Sequence, residues 1–237
     1  MRHHLRKAIE NYSSGGVIQT TRSAIRYLPI ECNNVVFRAR HGPGTHVMDE
    51  DWDNLFILDA CRYDMFADRV TLDGCLESRI SLGSSSEEFL ERNFGDRTCH
   101  DTVYVNANPY IPRLDLDQGT FHAVVDCLSD WDHELQTVRP DTVASAAREA
   151  HAEFPDKRLI VHFMQPHAPF IGDMGRELVG GGWTMDLPVE SEQGIWHYLR
   201  DGDSDIDLET VWAAYNENLD VVLDEVEPLL GDPTERV

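Results

Sequence analysis

Residues 54–64, Asn-Leu-Phe-Ile-Leu-Asp-Ala-Cys-Arg-Tyr-Asp, decide the fold. Leu55 to Leu58 form a short, wholly apolar run. Such a run suits a strand covered on both faces, as in a parallel sheet. An acid follows at once. In α/β sheets ligands bind beyond the carboxyl ends of the strands, so Asp59 is placed to hold a metal. Alternatively it caps the next helix, expected over about residues 63–70. Arg62 and Asp64 share the turn, either as an ion pair supporting a bound anion or as a surface pair.

Working outward, residues 102–105 and 158–163 are the next expected strands. Helices are predicted from about Glu87 to Phe94, from Thr142 to Phe154 and from Leu208 to Leu230. The last carries Trp212, Tyr215, Leu219, Val222, Leu223, Val226 and Leu230 on one face. A further amphipathic helix is expected over residues 17–28, and residues 172–207, rich in Gly and Asp, read as an insertion or surface loop. Strands alternating with helices predict an α/β fold, a doubly wound and mostly parallel sheet with helices on both faces.

Two further places carry chemistry. Gly83-Ser84-Ser85-Ser86 precedes a helix, where hydroxyls meet free N–H groups and the positive dipole end, a setting that binds an anion or activates a nucleophile. One serine must cap the helix; Ser86 fits best, leaving Ser84 and Ser85. Met164-Gln165-Pro166-His167-Ala168-Pro169-Phe170 follows the strand 158–163 and holds His167 between two prolines, able to ligate a metal or bind an oxyanion. His162, inside that strand, reads as a satisfied core histidine. Cys61 reads as a small buried residue. The loop of cysteine phosphatases is absent, since Ala67 stands where its arginine would be.

Composition bounds the setting. In 237 residues there are 43 acids against 20 bases, a net charge of −23, with Lys7 and Lys157 the only lysines. Self-repulsion on that scale is relieved by salt, whose Debye length is roughly 3 Å at 1 M, so the chain reads as halophilic. The same charge repels nucleic acid. Residues 1–40 differ, with seven bases and two acids. This basic arm docks on the acidic body or touches an anionic membrane surface; residues 41–237 form the α/β domain. Five scattered cysteines without a Cys-x-x-Cys pair point to a reducing compartment. With no signal peptide and no apolar run of membrane-spanning length, a cytoplasmic location is expected.

The motifs in this order resemble the sulfatase-like branch of the alkaline phosphatase superfamily, in particular an archaeal-type group. The resemblance rests on Leu58 to Asp64, Gly83 to Glu88 and His162 to Phe170, and spans roughly residues 20–230. It implies metal-dependent hydrolysis or transfer of phosphate or sulfate esters, with a small anionic ester as substrate. Asp59 would bind a divalent ion (Ca, Mg, Mn or Zn). Ser85, or Ser84 in an alternative alignment, would be the nucleophile. His167 would contact the substrate or the metal, with Arg62 nearby. The family also carries an Asp-His-Gly metal motif on a strand after the final helix; this sequence reaches Val237 without it. The expectation is therefore a truncated site of weak metal affinity and little or no ester turnover, with an open sheet edge that invites a partner strand or a second copy. A non-catalytic relative acting as a binding or structural partner is the alternative. A haloacid dehalogenase-type phosphatase is disfavoured because position 61 is Cys where that class needs a second Asp.

Overall fold

A computed structural model describes residues 32–33, 35–180 and 207–230. The expected helix at 17–28 and the tail 231–237 lie outside the described residues. The chain divides into two compact units. One draws its described residues from Met1–Asp49 and Arg79–Asn93, the other from Glu50–Ser78 and Phe94–Val237.

The larger unit is an α/β domain on four strands, β1 (Asn54–Leu58), β2 (Cys99–Asn106), β3 (Phe121–Asp126) and β4 (Arg158–Phe163). All pair in parallel, in the order β1-β4-β2-β3. β1 and β4 run where the apolar pattern put them. β2 is longer than expected, because Cys99 to Asp101 extend it at the β3 side. β3 was not foreseen: it lies at the sheet edge, His122 and Asp126 are exposed, and so no continuous apolar run marks it.

Six helices are labelled: α1 (Tyr63–Arg69), α2 (Ser86–Phe94), α3 (Tyr110–Arg113), α4 (Pro140–Glu153), α5 (Asp173–Gly180) and α6 (Leu208–Val226). α4 begins two residues before the predicted Thr142, since Pro140 at the first turn has the right φ and no N–H to lose. Its stripe Val143, Ala144, Ala147 and Ala150 is buried, and small side chains let it lie close on the sheet. α6 buries Val211, Ala214, Tyr215, Asn218, Leu219, Val222 and Val226 at helical spacing. Trp212, expected on that face, is instead 43% exposed. α6 stops at Val226 and passes into a 3₁₀ turn around Pro228 rather than continuing to Leu230. α5 replaces the start of the expected loop at 172–207, of which 181–206 lie outside the described residues.

One sheet face carries Val103, Val105, Ala107, Leu159, Val161 and Phe163, packed with α4, α6 and Met65 of α1. On the other face the Tyr104 ring meets Phe94, the last residue of α2, and Phe121. Leu159 to Phe163 of β4 are all buried, His162 among them. The smaller unit joins residues 44–49 to 79–93 through the Thr45–Ser81 bridge and a bond from the Val47 N–H to the Asn93 side chain.

Candidate functional site

The β1 strand ends in a tight turn. Asp59 N–H donates to Phe163 O at the end of β4 (3.1 Å), and Cys61 N–H closes back on Leu58 O (3.1 Å). Ala60 sits in the left-handed region at φ 63, a strained conformation for a residue with a Cβ. The Tyr215 hydroxyl of α6 donates to Ala60 O and steadies the turn. Asp59 does not cap α1: that helix starts at Tyr63, with Arg62 in the N-cap position. Its carboxylate is held from another strand end instead. The Asn108 amide donates to Asp59 Oδ2 at 2.8 Å. Asn108 is itself fixed, its N–H on Asn106 Oδ1 (2.8 Å) and its own Oδ1 accepting from Tyr110 N–H (2.9 Å).

His167 joins Asp59 at this edge. Its N–H donates to Asp59 O at 3.0 Å, so two residues 108 positions apart share one backbone hydrogen bond. The His167 Nδ1–H donates to Ala168 O, which leaves the lone pair of a neutral ring on Nε2. The loop's carbonyls are gathered by buried Asn218 of α6. Its amide donates to Pro166 O and His167 O (both 3.1 Å) and to Pro169 O (3.3 Å), and its Oδ1 accepts from Ile171 N–H (3.0 Å).

Arg62 is directed outward. It forms a bidentate pair with Asp64 (2.9 and 2.6 Å) and lies over the Trp212 ring at 5.6 Å. Hydrogen bonding within the pair raises the Arg62 pKa and lowers that of Asp64. Both side chains are more than half exposed, so the bond orders the turn more than it stabilises the fold. The Cys61 thiol is pushed up to about 11, first by burial and then by Asp64, which suits the packing role read from the sequence.

The serines belong to the smaller unit. Ser85, not Ser86, supplies the capping oxygen: Ser85 Oγ accepts from Glu88 N–H at 3.3 Å. Ser84 donates its N–H (3.0 Å) and its hydroxyl (3.1 Å) to the Glu88 carboxylate, which also pairs with Arg92. A negative charge thus already stands at the start of α2. Gly83 is required there, since a Cβ would collide with the backbone of Glu88 and Phe89.

A divalent ion needs several charged or lone-pair donors held together. Asp59 and His167 fit such a role singly. Among the described residues, however, no group of three or more His, Cys, Asp or Glu side chains is arranged to hold an ion. The described residues therefore do not fit a complete metal centre. Sequence reasoning missed Asn108, Tyr104 and Asn218. The Asn-x-Asn-Pro segment 106–109 signalled only a strand end, and nothing in a helical stripe marks Asn218 as a loop anchor. None of the described helices is long and apolar enough to cross a membrane. No protein-family model, curated protein or solved structure matches this chain.

Proposed function

We propose that this protein is a hydrolase or transferase of phosphate or sulfate esters. The observation that carries the reading is the meeting of Asp59 and His167, from separate strands, at the carboxyl edge of a parallel sheet. Asp59 there serves no helix cap and is held by Asn108. The motif order in the sequence supports the same class. In this reading a serine hydroxyl attacks phosphorus or sulfur, and the bond to the departing alcohol breaks. The serine proton passes to a base and the departing alkoxide gains one. Water or an acceptor alcohol then releases the covalent ester and restores the serine. Of the two candidates, Ser84 is the better nucleophile, because its hydroxyl donates to the Glu88 carboxylate, whereas the Ser85 oxygen accepts from an N–H. The five cysteines are all free thiols, which supports a reducing, cytoplasmic setting.

A second reading has its own observation. The Glu88 charge occupies the helix start that an anionic substrate would use, and the described residues fall short of a metal centre. Both favour a non-catalytic relative that binds without turnover. Mass spectrometry after incubation with aryl phosphate and aryl sulfate, in the presence of Mn²⁺, Zn²⁺, Mg²⁺ or Ca²⁺, separates the two. The enzyme reading expects a phosphoryl or sulfuryl adduct on the chain that disappears in Ser84→Ala. Absence of any adduct and of turnover with all four ions favours the non-catalytic reading.

A further inference from the structure

A row of buried polar groups crosses the sheet beside Asp59. On β2, Tyr104 is fully buried, and its hydroxyl lies 2.6 Å from His162 Nδ1 on β4. His162 is 1% exposed. Among the described residues its Nε2 has no hydrogen-bond partner, and the Asp59 Oδ2 lies 3.7 Å away. That separation is beyond hydrogen bonding, but in a buried setting charge and dipole still act strongly across it.

Two tautomers are open to the neutral ring. With the proton on Nδ1, the Tyr104 oxygen would accept from it. The phenol proton would then lack an acceptor, and the Nε2 lone pair would face a carboxylate. With the proton on Nε2, the phenol donates to Nδ1 and an N–H dipole faces Asp59. The second arrangement gives the phenol proton an acceptor and turns an N–H dipole, though not a hydrogen bond, toward the carboxylate. Burial and the Asp59 charge raise the Tyr104 pKa well above the ordinary value, so the phenol keeps its proton to donate. Asn108 approaches the same Oδ2 at 2.8 Å, so an N–H dipole and an amide converge on one carboxylate oxygen.

We infer that His162 is a positioning residue for Asp59, its Nε2–H held toward the carboxylate by the Tyr104 hydroxyl. This rests on the reading that Asp59 belongs to the working site. It assigns to three strands the orienting role that outer groups play around catalytic carboxylates. His162 does not touch substrate; it acts through Asp59.

The test is long-range proton–nitrogen NMR on the full chain, labelled at histidine, at mildly alkaline pH, with His162 identified by its loss in His162→Gln. The expected signature is a protonated Nε2 and a bare Nδ1. Tyr104→Phe should shift the Nδ1 resonance, and Asp59→Asn should shift the Nε2–H resonance. A protonated Nδ1 with a bare Nε2 overturns the inference. So does an Nε2–H that ignores Asp59→Asn. These outcomes do not depend on activity, so failure of the ester reading is seen separately, as absence of turnover in the unaltered protein. Where turnover exists, His162→Leu should lower kcat about 10–100-fold with KM little changed. His162→Gln, whose amide keeps a donor on the Asp59 side, should recover most of that loss. Equal losses in both variants would reduce His162 to a packing residue.

Discussion

Replacing Asn218 should release the His167 loop, and the size of the effect can be worked out from its four hydrogen bonds. In Asn218→Ala the Ile171 N–H loses its acceptor, and the carbonyls of Pro166, His167 and Pro169 lose their donor. Neutral hydrogen bonds contribute about 1 kcal/mol each, and a stranded buried N–H costs about 1–3 kcal/mol. The NH2 group has two protons to share among the three carbonyls, worth about 2 kcal/mol, so with the stranded N–H the predicted loss is about 3–5 kcal/mol, large against a usual stability of about 5–15 kcal/mol. Asn218→Asp keeps the acceptor for Ile171 but turns an oxygen toward three carbonyl oxygens. Only the protonated acid can donate to them, so folding raises its pKa above the ordinary value of about 3.9. Stability from that group is fully present below the unfolded pKa and is lost as pH rises through the folded one. The Asn218→Asp variant should therefore lie closer to the unaltered protein in acid than at neutral pH. Urea unfolding in molar KCl at two pH values measures this, with amide exchange at Ile171 as the local readout. Both variants unfolding within about 0.5 kcal/mol of the parent, with Ile171 protection unchanged, would show that the loop is held by other contacts.

Raising KCl from low to molar concentration should raise Tm, because screening relieves the repulsion of a −23 chain; each kcal/mol regained is worth about 2–4 °C at this size. A Tm independent of salt would remove the halophile reading. Gly83→Ala should cost about 1–3 kcal/mol by overpacking the turn that carries Ser84 and Ser85 against Glu88 and Phe89, read by thermal unfolding. An unchanged Tm would mean that the turn is free to shift. Burial pushes the Cys61 and Cys127 thiols from 9.0 to about 11 and the Tyr215 phenol from 10.0 to about 12. Stability from these groups is fully present below about pH 9 and should decline as pH rises toward their folded values, which a urea midpoint series over that range would follow.

The parts of the fold readable from sequence were those with a single dominant signal. The short apolar stretches at 55–58 and 159–161 read as strands from their length, and both are strands, although β1 lies at a sheet edge with most of its residues only half-buried. β3 escaped because His122 and Asp126 leave only a short apolar stretch between them. Asp59 and His167 were legible as a pair because both follow strands, and parallel strands bring such positions to one edge. Their partners were not. Asn108, Asn218 and Tyr104 act through contacts between residues 49 to 58 positions apart, and no periodicity encodes a pairing at that distance. Ser85 rather than Ser86 caps α2 because helix starts shift by a residue without altering the hydrophobic pattern.

The Asp59 edge is proposed to handle phosphate or sulfate esters. The direct measurement is turnover of an aryl phosphate and an aryl sulfate by the full chain in molar KCl with each of the four divalent ions, beside Asp59→Asn. That variant keeps the side-chain size and the backbone bonds to Phe163 and His167 but loses the negative charge. Weak but measurable turnover of at least one ester is expected, with its loss by at least about tenfold in Asp59→Asn and the fold intact by circular dichroism. Turnover of neither ester, or turnover that Asp59→Asn leaves unchanged, would contradict it.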